Sequence, residues 1–167
     1  MILEGIVTTQ DSAGVVNVAP MGPIVDETMA MLRLRPFQTS QTFRNLKAVP
    51  SGVFHVVDDV LLLAQAAIGR LPAVPPTFPA EKITGVVLAE SCRWYEFLVD
   101  TLDDSQERAE IMARVVHTGR IRDFFGFNRW SGWGAQPSNP PGRARAPGSP
   151  YYGQRQDNRY YYQRQPW

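Results

Sequence analysis

Hydrophobic positions gather in several short stretches rich in β-branched residues, separated by polar turn signals. Residues 2–9 and 15–19 are two such stretches, separated by the turn signal Asp11-Ser12-Ala13-Gly14, which predicts a hairpin over 2–19. Pro20, Gly22 and Pro23 predict the end of that hairpin and an irregular loop with accessible backbone. A third strand is expected over 28–35, then a turn and a helix over 40–49, stopped by Pro50-Ser51-Gly52. Residues 53–57 read as a short buried strand carrying His55, and Asp58 as the cap of a helix whose apolar residues run from 60 to 68.

Four prolines make 71–79 a rigid extended connector. Strands are expected over 83–89 and 92–99, paired through a turn or bulge near Glu90-Ser91. The apolar stripe of Ile111, Val115 and Thr118 predicts a helix over 106–118, capped by Ser105 and ended by Gly119. Some six strands with interspersed helices and no regular βαβ alternation predict an antiparallel barrel with flanking helices.

Composition divides the chain near residue 129. Residues 1–129 hold 12 of the 17 Lys+Arg and 15 of the 16 Asp+Glu, a net charge of −3; the rest carries +4. Residues 130–167 contain no Leu, Ile, Val, Met or Lys. Such a segment buries too little aliphatic surface to offset its ordering entropy, so a disordered tail is expected there. Its Tyr pair at 151–152 and Tyr triple at 160–162, interleaved with Arg, fit weak RNA contact or self-association. They equally fit an inert tail or an aberrant C-terminus from a reading-frame shift. A mildly acidic body does not otherwise point to nucleic acid.

One cysteine, Cys92, allows neither an intramolecular disulfide nor a cysteine-based zinc site, and no metal site is expected. It is consistent with a reducing cytoplasm. No apolar run reaches the length of a membrane span, and the first residues lack the basic region of a signal peptide.

The chemistry concentrates in residues 34–45, LRPFQTSQTFRN, where a strand end, a turn and a helix start gather Arg35, Thr39, Ser40, Thr42, Arg44 and Asn45. A helix N-terminus offers unpaired N–H groups and partial positive charge, and hydroxyls with an arginine complete a site for a phosphate group. The spacing is neither that of a Walker A loop nor that of a Rossmann fingerprint. The same residues also fit an ordinary N-cap, with Arg44 and Lys47 as solvated helix residues.

No catalytic acid, base or nucleophile stands out. His55 reads as a satisfied core histidine, and His117 as a complement to a helix end. Asp58 and Asp59 are spaced for a cap, and Cys92 fits a small core residue. Trp94, Tyr95 and Phe97 alternate between faces of one strand.

Several segments together resemble a known superfamily. Asn17-Val18-Ala19-Pro20-Met21-Gly22-Pro23 is similar to the NxAP segment of flavin reductase-like FMN-binding split barrels. Residues 39–47 resemble their phosphate-holding turn and helix, and 53–59 the strand that follows. Within that superfamily the chain resembles a domain-of-unknown-function family of archaea and of bacteria with tetrahydromethanopterin-linked one-carbon metabolism. The ILEGIVTT start, APMGPIV, LRPFQTSQTFRNL, GVFHVVDDVLL, CRWYEF at 92–97 and RDFFGFNR at 122–129 carry this likeness.

The resemblance implies a mainly β fold with flanking helices, an FMN-binding split β-barrel over 1–129 followed by a disordered tail over 130–167. It implies a cytoplasmic homodimer with FMN near the subunit interface and a small-molecule redox partner. It places Arg35, Thr39, Ser40, Thr42 and Asn45 near the phosphate, and Asn17, Ala19, Pro20, Met21 and Gly22 along the isoalloxazine. The implied role is a flavin-dependent redox function, as an oxidoreductase or as a non-catalytic flavin carrier or sensor; an interaction protein acting through the tail is a further reading. Family members continue past RDFFGFNR into an alanine-rich helical segment, where this chain has its Gly/Pro/Arg/Tyr tail.

Overall fold

The computed structural model describes residues 1–127. The expected tail disorder and tail contacts fall outside the described residues.

Seven strands form one antiparallel sheet: β1 (Gly5–Gln10), β2 (Val16–Met21), β3 (Ile24–Val25), β4 (Met31–Leu34), β5 (Ser51–Val56), β8 (Arg93–Asp103) and β9 (Glu110–Arg120). Their order is β2-β1-β5-β8-β9-β4-β3. A separate two-stranded ribbon joins β6 (Thr77–Pro79) to β7 (Val86–Leu88), and two helices, α1 (Gln41–Ala48) and α2 (Val60–Ala67), complete the described residues.

The sheet curls on itself. Ile2 bridges Ile24, Leu3 N donates to Pro23 O at 3.1 Å and Val25 N donates to Met1 O at 2.8 Å. Edge strand β3 is thereby tied to the residues that lead into β1, and β2 is left on the open side, a split barrel. Register shifts in the long β8–β9 pair, at Glu96/Phe97 and Val99/Thr101, supply the bends that such curvature needs.

Alternation along β1 sends neighbours to opposite faces. Val7 enters the barrel core with Leu32, Leu34, Phe54, Phe97 and Ile111. Ile6 packs on the other face with Val57 and Leu88, against Leu62 and Leu63 of α2. Helix α1 buries Thr42, Phe43, Asn45 and Leu46, spaced for one helical face, and Phe43 and Leu46 join the barrel core.

Four sequence expectations are corrected. Residues 106–118 form no helix: β9 is a strand from Glu110 to Arg120, and the run Val115–Val116–His117–Thr118 gives the β-branched signal that the helical stripe obscured. Gly119 is no helix stop; a Cβ there would come within 2.0 Å of the Trp94 ring, so glycine lets the indole lie against the strand. The proline-rich loop is partly strand, since Pro20 pairs with Ile6 in β2. Strand β2 lies at the sheet edge, where a missing N–H leaves no ladder bond unmade. The segments over 83–89 and 92–99 do not pair: β7 pairs with β6, and β8 lies between β5 and β9.

Candidate functional site

The turn between β4 and α1 begins the site. Ser40 is the N-cap of α1: its Oγ accepts from Phe43 N at 3.2 Å and donates to Phe37 O at 2.7 Å. The first turn of α1 holds no acidic residue, so its partial positive charge is not offset locally. Asn45 Nδ2 donates to Thr9 Oγ1 at 3.1 Å while its Oδ1 accepts from Gln41. Asn17 Nδ2 donates to Thr42 Oγ1 at 3.1 Å. These bonds fasten α1 to β1 and β2, and they leave the Thr42 hydroxyl hydrogen with no acceptor among the described residues.

The turn is held from outside by the β8–β9 loop. Gln38 Nε2 donates to Asp104 O at 2.6 Å and to Gln106 O at 2.7 Å, Gln38 N donates to Glu107 O, and Ala109 N donates to Pro36 O. This docking lays the Arg108 guanidinium over the Phe37 ring, 4.1 Å from its centre.

A cleft of about 580 Å³ opens between this turn and β2. Ala19, Pro20, Met21 and Gly22 form one wall. Arg35, Phe37, Ser40, Thr42 and Arg108 also line the cleft, as do Glu4 and Ala67. A Cβ on Gly22 would stand 2.7 Å from Glu4 Oε1, so the glycine leaves room for that carboxylate.

Seven of the ten residues singled out in the sequence thus meet in one cleft. Three do not line it. Asn17 and the buried Asn45 stand behind Thr42 in the hydrogen-bond network. Thr39 offers its carbonyl to Arg44 Nη2 at 2.6 Å, which also occupies Arg44 within its own turn. The sequence reading missed Phe37, Glu4 and Arg108. Arg108 sat in the expected helix; only the strand reading of β9 places it in a loop, and its approach to Phe37 comes from long-range packing that no local signal carries.

Other titratable groups lie apart from the cleft. His55 is fully buried: Nε2 accepts from Leu88 N at 3.0 Å, which leaves the proton on Nδ1 for Ile6 O at 3.2 Å. Burial holds its pKa down, to about 4, against the smaller opposing effect of the Ile6 carbonyl. It is the satisfied core histidine that the sequence suggested. His117 lies on β9 beside Glu81, at 3.5 Å, not at a helix end. Asp58 is not a cap. Asp59 caps α2 through Leu61 N and Leu62 N, while Asp58 takes two bonds from Arg122, which hold its carboxyl below the usual range. Cys92 is buried next to this pair, and burial raises its thiol pKa. Glu96, also buried, accepts from Glu81 N, Lys82 N and Trp94 Nε1. Among the described residues no cluster of His, Cys, Asp and Glu is arranged to hold a metal, and no helix is long and apolar enough to cross a membrane.

Comparison with known proteins agrees with the fold. The family model described as "Protein of unknown function (DUF447) N-terminal domain" matches residues 3–122. An FMN-bound protein of Methanosarcina mazei carrying the DUF447 family model is similar at a TM-score of 0.61 and 21% identity over 72% of this chain. This chain spans 61% of that protein's length. Nitrilotriacetate monooxygenase component B from Bacillus cereus is similar at a TM-score of 0.61 and 19% identity, over 76% of this chain and 75% of that one. Flavoredoxin from Methanosarcina acetivorans gives a TM-score of 0.62 and 11% identity, over 72% of this chain and 69% of that one. No functionally curated protein matches the chain significantly. At these identities the likeness establishes the split β-barrel fold.

Proposed function

The chain belongs to the DUF447 N-terminal domain family, and we propose that it binds FMN in the cleft between β2 and the β4–α1 turn and serves a flavin-dependent redox role. The observation that carries this reading is the make-up of the cleft lining. The β4–α1 turn and the loop docked on it bring two arginines, Arg35 and Arg108, with Ser40, Thr42 and the start of α1. Strand β2 and the residue after it bring the mostly apolar run from Ala19 to Gly22. A molecule with a dianionic end and a flat, largely apolar body matches both groups. The FMN-bound state of the Methanosarcina mazei protein supports this choice of ligand.

Each residue then has a task. Arg35 and Arg108 neutralise the phosphate, and Thr42 donates to it the one hydroxyl hydrogen that its neighbours leave unused. Asn17 fixes the Thr42 oxygen, and Asn45 holds the helix start against β1. Pro20 stiffens the wall beside the ring. Flavin supplies the electron chemistry when bound, and the protein positions and tunes it. Glu4 is the one carboxylate lining the cleft.

The finer parts of the reading rest on family resemblance: a cytoplasmic homodimer acting as a reductase in tetrahydromethanopterin-linked one-carbon metabolism. Exposed Leu61 and Ile68, close in sequence to the cleft residue Ala67, support an assembly that covers them. The test is an absorbance spectrum of the purified chain, acid release of any chromophore, and anaerobic addition of reduced nicotinamide or deazaflavin donors. Released FMN that bleaches with a donor is expected. A chain that neither contains FMN nor takes it up refutes the reading, and tight FMN without bleaching by any donor makes the protein a carrier or sensor.

A further inference from the structure

A second cavity, of about 650 Å³, shares the lining residue Glu4 with the first. Its volume falls in the range of small-molecule sites, about 300–1,000 Å³. Tyr95 of β8 and three phenylalanines, Phe124, Phe125 and Phe127, line it. The phenylalanines are unusually open: Phe125 is 88% exposed and Phe127 61%. Three exposed phenyl rings within four residues are costly in water unless something covers them. The segment that bears them is anchored, not loose. Just before it, Arg122 bonds both Asp58 oxygens and donates to Glu90 O at 3.0 Å, while Ile121 N donates to Cys92 O. Phe124 and Phe127 meet edge to face, with ring centres 5.6 Å apart.

Asp123 is paired with Arg120 at 3.0 Å. Arg93 and Glu4, which also line the cavity, are solvent-exposed and have no hydrogen-bond or ion-pair partner among the described residues, so a ligand can reach both. A ligand that satisfies this set has a flat aromatic body for the rings, an acidic group for Arg93 and a ring N–H for Glu4. We infer that this cavity is a second ligand site, for a planar nitrogen heteroaromatic acid, set beside the proposed FMN cleft. Only the ligand's neighbour depends on the flavin reading; its binding does not. The size, the aromatic walls and the two unpaired charges favour a small molecule over a second copy of the chain.

Indole-2-carboxylate is the probe, titrated calorimetrically into the full chain with and without saturating FMN. One equivalent is expected to bind in both conditions. Phe125→Ala, at a position too exposed to disturb the fold, is expected to weaken it at least tenfold. Arg93→Gln is expected to weaken indole-2-carboxylate about tenfold and to leave plain indole unchanged. Probe binding with this dependence in a chain that takes no FMN supports the second site and refutes the flavin reading. No probe binding, displacement of the probe by FMN, or indifference to both substitutions overturns the second site. Sedimentation provides the last check: a dimer that Phe125→Ala converts to monomer overturns it in favour of a self-association surface.

Discussion

The guanidinium of Arg108 lies 4.1 Å from the centre of the Phe37 ring, so the β8–β9 loop delivers a second positive charge to the turn that starts α1. The stack orients the guanidinium over an apolar face, where cation–π attraction holds it at little further entropic cost. Arg108→Ala is therefore expected to weaken FMN by roughly 1–2 kcal/mol, the scale of a charge-assisted hydrogen bond, and to leave riboflavin almost unaffected. Parallel titrations of the two flavins decide it; equal losses would place Arg108 away from the phosphate.

Ser40 and Thr42 separate on the same logic. Ser40 already caps α1, so Ser40→Ala is expected to cost about 1 kcal/mol of folding stability besides any loss of ligand. Thr42 is the cleaner probe. Thr42→Ser keeps the hydroxyl and is expected to bind FMN normally, whereas Thr42→Val is expected to lose roughly 1–3 kcal/mol of FMN binding. Fluorescence quenching of added FMN reads both variants, and riboflavin again serves as the phosphate-free control.

Much of this arrangement was legible in the chain, and the parts that were not share one cause. The Ser40 cap, the helix after it and the His55 strand carry local signals, and they fall where the structure has them. Asp58 and Asp59 are adjacent, and only Arg122, 64 residues away, decides which of them caps the helix. In β9, residues 111, 115 and 118 satisfy a helical period as well as a strand containing bulges, so local spacing alone does not choose. Pairing with β8 and β4 does. The cleft shows the same division. Its turn and its β2 wall are contiguous motifs, while Glu4 and Arg108 reach it through sheet closure and loop docking.

Gly119 gives a direct test of that strand. A methyl group at this position would overlap the Trp94 ring, whose other contacts, an edge-on Phe78 and a bond to Glu96, leave it little freedom to move. Gly119→Ala is expected to destabilise the fold by about 1–3 kcal/mol, as overpacking does. At the end of a helix, where glycine serves as the left-handed stop, the same substitution would cost at most about 1 kcal/mol. Chemical denaturation measures the loss; a Gly119→Ala protein as stable as the native chain would mean that the Trp94 ring does not lie against β9 at this position.

His55 makes stability depend on pH in a defined window. The folded protein needs the neutral ring, because Nε2 accepts from Leu88 N while Nδ1–H donates to Ile6 O. Burial lowers the folded pKa to about 4 from 6.5, so the unfolded chain takes up this proton first as the solution is acidified. The stabilisation is complete above the unfolded value, falls as pH drops below about 6.5 and levels off once pH passes below about 4. The full swing is on the order of 3 kcal/mol, by the conversion of about 1.4 kcal/mol per pH unit. Denaturation midpoints measured between pH 7 and pH 4.5 are expected to fall in the native chain. His55→Gln, which cannot take up the proton, is expected to start less stable at pH 7, having lost a fitted ring from the core, and to show a clearly shallower decline. An equal slope in both proteins would mean that His55 is not held neutral between β1 and β7.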